Sequence, residues 1–143
     1  MIYLDNAASA PTRVEAISAM LPVFEQCYGN PSGSHRMARE ARRLIDDARD
    51  AISVGLGCDP KEIIFTGGGT EADNLAIFGI HASRGGIVVS SATDHQAVLA
   101  PVEKLSGRVA RVHPDGTLDL DYLSEILDES VSLVSIGLVN GET

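Results

Sequence analysis

The stretch IIFTGGGTEADNLAIF, residues Ile63 to Phe78, decides how this chain is read. A short apolar, β-branched run ends in three glycines, Gly67 to Gly69, and a helical pattern opens at Thr70. Glycines let backbone N–H groups approach an anion closely. The first turn of the helix adds unpaired donors and the positive end of its dipole. The layout is that of a phosphate cradle. Thr70 and Asp73 have capping-box spacing, with Asp in place of the usual Glu.

From residue 62 onward, strand and helix signals alternate. Strands are expected at 63–66, 87–91, 109–113 and 132–138, and helices at 70–83, 94–105 and 119–128. Strands separated by helical crossovers imply an α/β fold, a mostly parallel sheet with helices on both faces. The preceding residues read differently. A helix is expected over 12–26, with Pro11 at its start and Pro22 kinking it or ending it early. After a Gly/Pro/Ser-rich loop, a long helix is expected over 36–56, with Met37, Ala41, Leu44, Ala48 and Ile52 as its buried stripe. Gly57 follows as its cap and Pro60 as a stop signal. Residues 1–61 therefore read as a helical segment with a loop, and 62–143 as the start of an α/β cofactor-binding domain.

Bulk properties bound the function. The 143 residues are enough for one domain with a core. A net charge of −9 argues against a nucleic-acid surface, which leans on Lys and Arg to neutralise phosphates. No basic start runs into an apolar stretch, and the apolar run near 133–139 is too short to span a bilayer, so a cytoplasmic protein without membrane contact is expected. Cys27 and Cys58 have no Cys/His cluster beside them, which suggests neither a metal site nor a disulfide.

Two further motifs join the glycine loop. In Thr93-Asp94-His95-Gln96, Thr93 and Gln96 have capping-box spacing, which puts His95 in the first turn of the next helix. A helix N-terminus disfavours the imidazolium there, leaving a neutral ring able to stack or accept a proton. Asn140, in Val139-Asn140-Gly141, follows the last strand and can bond a ligand oxygen or make a turn. In a parallel sheet all three motifs lie at the carboxyl-end edge, where ligands bind. Gly67-x-Gly69-x-x-Ala72 also satisfies a loose dinucleotide fingerprint, with Asp94 near the offset of a ribose-binding acid, so that reading stays open. So does a non-catalytic chain or one half of a split enzyme.

In order, the blocks YLDNAASAP (3–11), YGNPSGSHR (28–36), EIIFTGGGTEADNLAI (62–77), TDHQAVLAPV (93–102) and VNGET (139–143) resemble the front part of a cysteine desulfurase. That family belongs to the class V aminotransferases and uses pyridoxal 5′-phosphate on the fold of aspartate aminotransferase. The TDHQAV form is similar to the branch holding the housekeeping and nitrogen-fixation enzymes of iron–sulfur cluster assembly. The resemblance implies that Gly69 and Thr70 bind the cofactor phosphate. It implies that His95 stacks over the pyridine ring and assists proton transfer, and that Asn140 bonds the ring oxygen. It implies a homodimeric enzyme that takes sulfur from L-cysteine, leaves L-alanine, and passes the sulfur as an enzyme persulfide to an acceptor protein. Where the family motif reads His-Val-Asn-Asn-Glu, Leu138 and Gly141 stand here for the His and the second Asn. The family's Ser-x-His-Lys lysine, its pyridine-nitrogen aspartate and its nucleophilic cysteine match nothing in these residues. The expectation is thus an N-terminal portion that does not turn over alone.

Overall fold

The computed structural model describes residues 2–141, which divide into two units at Phe65/Thr66. The first unit holds helix α1 (Val14–Gln26), helix α2 (Arg36–Leu56) and a 3₁₀ turn at Pro60–Glu62. The second holds α3 (Gly69–Arg84), β1 (Ile87–Ser91), α4 (Gln96–Lys104), β2 (Arg108–Ala110), α5 (Leu120–Ile126) and β3 (Val131–Ser135).

In the first unit, α1 runs through Pro22 to Gln26. Proline removes the amide that would bond the carbonyl of Ser18 and crowds that carbonyl with its ring, yet this helix continues past it instead of ending. Gly57 caps α2 in the left-handed region at φ 69°, its amide donating to the carbonyl of Ser53 at 2.8 Å. The stripe expected on α2 is only partly buried. Ala38, Ala41 and Ser53 are covered, whereas Leu44, Ala48 and Ile52 are exposed. Asp59 and Glu62 form a reciprocal capping box around Pro60, so the expected stop signal opens a turn of its own.

The second unit is a three-stranded parallel sheet in the order β2-β1-β3, flanked by helices. Its centre, β1, is a β-branched run with Val88, Val89 and Ser90 fully buried. Ile77 of α3, Val98 and Val102 of α4, and Val88 of β1 form one apolar cluster, with Leu133 of β3 and Leu105 packed on it. Arg108 of β2 ties the β3 entrance down, donating to the carbonyl of Ile126 at 2.7 Å and to Asp128 at 2.8 Å. Every crossover runs back along the sheet through a helix, so helix N-termini collect at the strands' carboxyl ends.

Residues 63–66 form no strand. Ile63 is extended, at φ −88° and ψ 121°, yet no described strand pairs with this run, and a strand exists only through its ladder partner. The strand at 87–91 forms with its expected bounds, while the other two shift or shorten: 109–113 becomes Arg108–Ala110, and 132–138 becomes Val131–Ser135. Among the described residues, no helix is long and apolar enough to cross a membrane.

Candidate active site

The glycine loop delivers the start of α3. Gly68 is its N-cap, extended at φ 164°, and no side chain caps the helix, so the Thr70–Asp73 capping box does not form. Glu71 reaches back instead, and its Oε2 accepts the Gly67 amide at 2.6 Å. The amides of Gly69 and Thr70 open the helix and have no carbonyl one turn earlier to bond. A Cβ built on Gly68 or Gly69 would meet nothing within 4 Å, so open space lies before this backbone. Exposed first-turn amides, the Thr70 hydroxyl and the helix dipole together suit a phosphate group.

His95 sits two positions earlier relative to its helix than the capping-box spacing predicts. It is the N-cap of α4, and its Nδ1 accepts the amide of Ala97 at 3.0 Å. Thr93, the expected cap, is occupied elsewhere: its hydroxyl pairs with that of Ser91 at 3.0 Å. The cap bond requires an unprotonated Nδ1. The neutral ring then carries its proton on Nε2, and the ring itself is exposed.

Two residues that sequence reasoning passed over hold the parts together. Asn74 donates through Nδ2 to the carbonyls of Thr70 at 2.8 Å and Ala97 at 3.1 Å, pinning the first turns of α3 and α4 side by side. Its spacing of four from Thr70 was the available signal. Asp94, weighed only as a ribose-binding acid, accepts two backbone amides, Ser91 through Oδ2 and Gly137 through Oδ1, each at 2.7 Å.

Asn140 lies on the segment leaving β3, half-buried, and its Nδ2 donates to the carbonyl of Thr93 at 2.7 Å. The last two residues of the VNGET block, Glu142 and Thr143, lie outside the described residues.

Thr70 and His95 line one open groove of about 400 Å³ between α3 and α4, with Asn74, Phe78, Gln96 and Lys104 among the other walls. The donors and the flat, exposed imidazole at this edge fit a phosphate ester carrying an aromatic ring. The dinucleotide reading loses both its supports. Its fingerprint needs a strand before the loop, and its acid has both carboxylate oxygens committed to backbone amides.

The chain matches the class-V aminotransferase family over residues 2–143, and it belongs to that family. Class-V aminotransferases use pyridoxal 5′-phosphate as their cofactor. This chain is 39% identical to the cysteine desulfurase IscS of Dictyoglomus turgidum over 149 residues, covering 99% of this chain and 38% of that protein. Among solved structures it resembles a NifS-like protein from Rickettsia africae, with a TM-score of 0.87 and 30% identity, over 99% of this chain and 41% of that one. It also resembles SspA in complex with cysteine, with a TM-score of 0.84 and 32% identity, over 95% and 42% of the two chains. The chain thus spans about two fifths of the length of the relatives it matches.

Proposed function

We propose that these residues supply the front of the active site of a pyridoxal 5′-phosphate-dependent cysteine desulfurase. Support comes from one juxtaposition: the phosphate-suited start of α3 and the neutral imidazole of His95 line the same groove. The relatives called cysteine desulfurases, and the cysteine complex of SspA, support the choice of substrate.

In this reading Gly69 and Thr70 hold the cofactor phosphate through first-turn amides and a hydroxyl. His95 lies against the ring and moves a proton at Nε2, since Nδ1 is spent on the cap. Asn140 bonds the ring oxygen. When bound, the cofactor supplies an electron sink for the carbanion beside the substrate amine. Overall, L-cysteine and an enzyme thiol give L-alanine and an enzyme persulfide. The sulfur then passes to an acceptor protein, and the enzyme works as a homo-oligomer. Cys27 and Cys58 are free, half-buried thiols without the family's nucleophile motif, so the thiol that receives sulfur is assigned to neither.

Thr70→Ala removes one hydroxyl donor from the cradle while leaving the helix backbone in place. Calorimetric titration with pyridoxal 5′-phosphate is expected to show a loss of about 1 kcal/mol, roughly fivefold in Kd. Unchanged affinity would count against the cradle.

A further inference from the structure

The Asp94 carboxylate bridges two exits of the sheet. Its Oδ2 takes the amide of Ser91, the last residue of β1, and its Oδ1 takes the amide of Gly137, two residues beyond β3. Both bonds are 2.7 Å, the length of charge-assisted ones. The fit is close on the far side too, since a Cβ at Gly137 would lie 3.1 Å from the same Oδ1. A second link runs in parallel, from Asn140 Nδ2 to the carbonyl of Thr93. His95 follows Asp94 directly, and its ring is fixed at Nδ1 by the Ala97 amide. The clasp therefore sets where Asn140 stands relative to His95, and it touches nothing in the Gly69–Thr70 cradle.

We propose that Asp94 is a positioning residue that holds His95 and Asn140 as one ring-binding unit, separate from the phosphate cradle. The inference rests on the cofactor reading above. It goes beyond that reading in giving a role to an acid that touches no ligand.

The test compares the 143-residue chain with its Asp94→Asn and Gly137→Ala variants. Asp94→Asn keeps one acceptor oxygen but turns an NH₂ toward the other amide. Hydrogen exchange read by mass spectrometry is expected to quicken about tenfold in residues 136–141 and to stay unchanged in 87–91 away from Ser91. Affinity for pyridoxal 5′-phosphate is expected to fall about tenfold, while affinity for inorganic phosphate does not weaken. Gly137→Ala leaves the carboxylate in place and crowds it, and is expected to give the same pattern at about threefold. If the wild-type chain binds pyridoxal 5′-phosphate no better than phosphate, the cofactor reading fails and the role of Asp94 falls with it. If the wild type prefers pyridoxal 5′-phosphate, two results overturn the role of Asp94 alone: unchanged exchange at 136–141, or equal loss of both ligands in Asp94→Asn.

Discussion

Mixed with L-cysteine and pyridoxal 5′-phosphate, the 143-residue chain is expected to release no sulfide above the cofactor-only background. The reason lies in which residues it contains. Its two lysines are Lys61 and Lys104, and neither lies in a Ser-x-His-Lys motif. Lys61 belongs to the 3₁₀ turn, where its backbone amide is held by Asp59 at 2.9 Å and its side chain is exposed. Lys104 is the nearer candidate, because it lines the same groove as Thr70 and His95. It ends α4, however, eight residues past Gln96, which is about 12 Å along the helix axis from the His95 end. Its ammonium lies over the Phe78 ring, 5.6 Å from the centroid. Borohydride reduction followed by peptide mapping checks the same point independently of turnover. A stoichiometric pyridoxyl adduct on Lys104, or sulfide release, would show that these residues carry more of the machinery than proposed.

Gly107→Ala is expected to be the most destabilising single-methyl change in the second unit. A Cβ at this position would stand 2.4 Å from the carbonyl oxygen of Val88 and 2.7 Å from Cγ1 of Val102. Neither neighbour can give way easily, since both valines are fully buried in the apolar cluster at the sheet centre. The Gly107 amide also donates to the carbonyl of Val102 at 2.8 Å, which holds the turn close. Overpacking of this kind costs about 1–3 kcal/mol, which lowers the melting temperature of a small domain by on the order of 10 °C. Gly69→Ala is the control, because a Cβ there meets nothing within 4 Å. Circular dichroism melts in which the Gly107 variant stays within a degree or two of wild type would contradict this packing.

Much of the fold was legible because local signals agreed with one another. The run Ile87-Val88-Val89, entered through Gly85-Gly86, reads as a strand and forms one with the expected bounds. Helix α2 also matches its expected bounds, since Gly57 closes it in a conformation glycine adopts without strain. The failures share a cause: each depended on a partner that the local sequence does not name. Residues 63–66 have strand composition but no ladder neighbour among the described residues. The apolar stripe on α2 needed a covering element, and Leu44 and Ile52 remain open. Thr93 was the better cap by residue type, yet its hydroxyl goes to Ser91 and the imidazole of His95 takes the role.

The candidate site divides in the same way. Its main residues could be placed at the carboxyl-end edge once the sheet was read as parallel, because each follows a strand or opens a helix. The links between them could not. Asp94 to Gly137 and Asn140 to Thr93 join residues 43 and 47 positions apart, and they exist only through the register of β1 against β3. Asn74 is similar: one of its two bonds is local, to Thr70, and the other reaches Ala97 on the next helix.

Gly69, Thr70, His95 and Asn140 are proposed to face one pyridoxal 5′-phosphate together, and a crystal structure of the chain grown with that cofactor would show whether they do. Phosphate oxygens are expected within hydrogen-bond distance of the Gly69 and Thr70 amides and the Thr70 hydroxyl. The pyridine ring is expected against the His95 imidazole, with its ring oxygen on Asn140. A cofactor bound elsewhere on the chain, with plain solvent at a well-ordered start of α3, would contradict this arrangement.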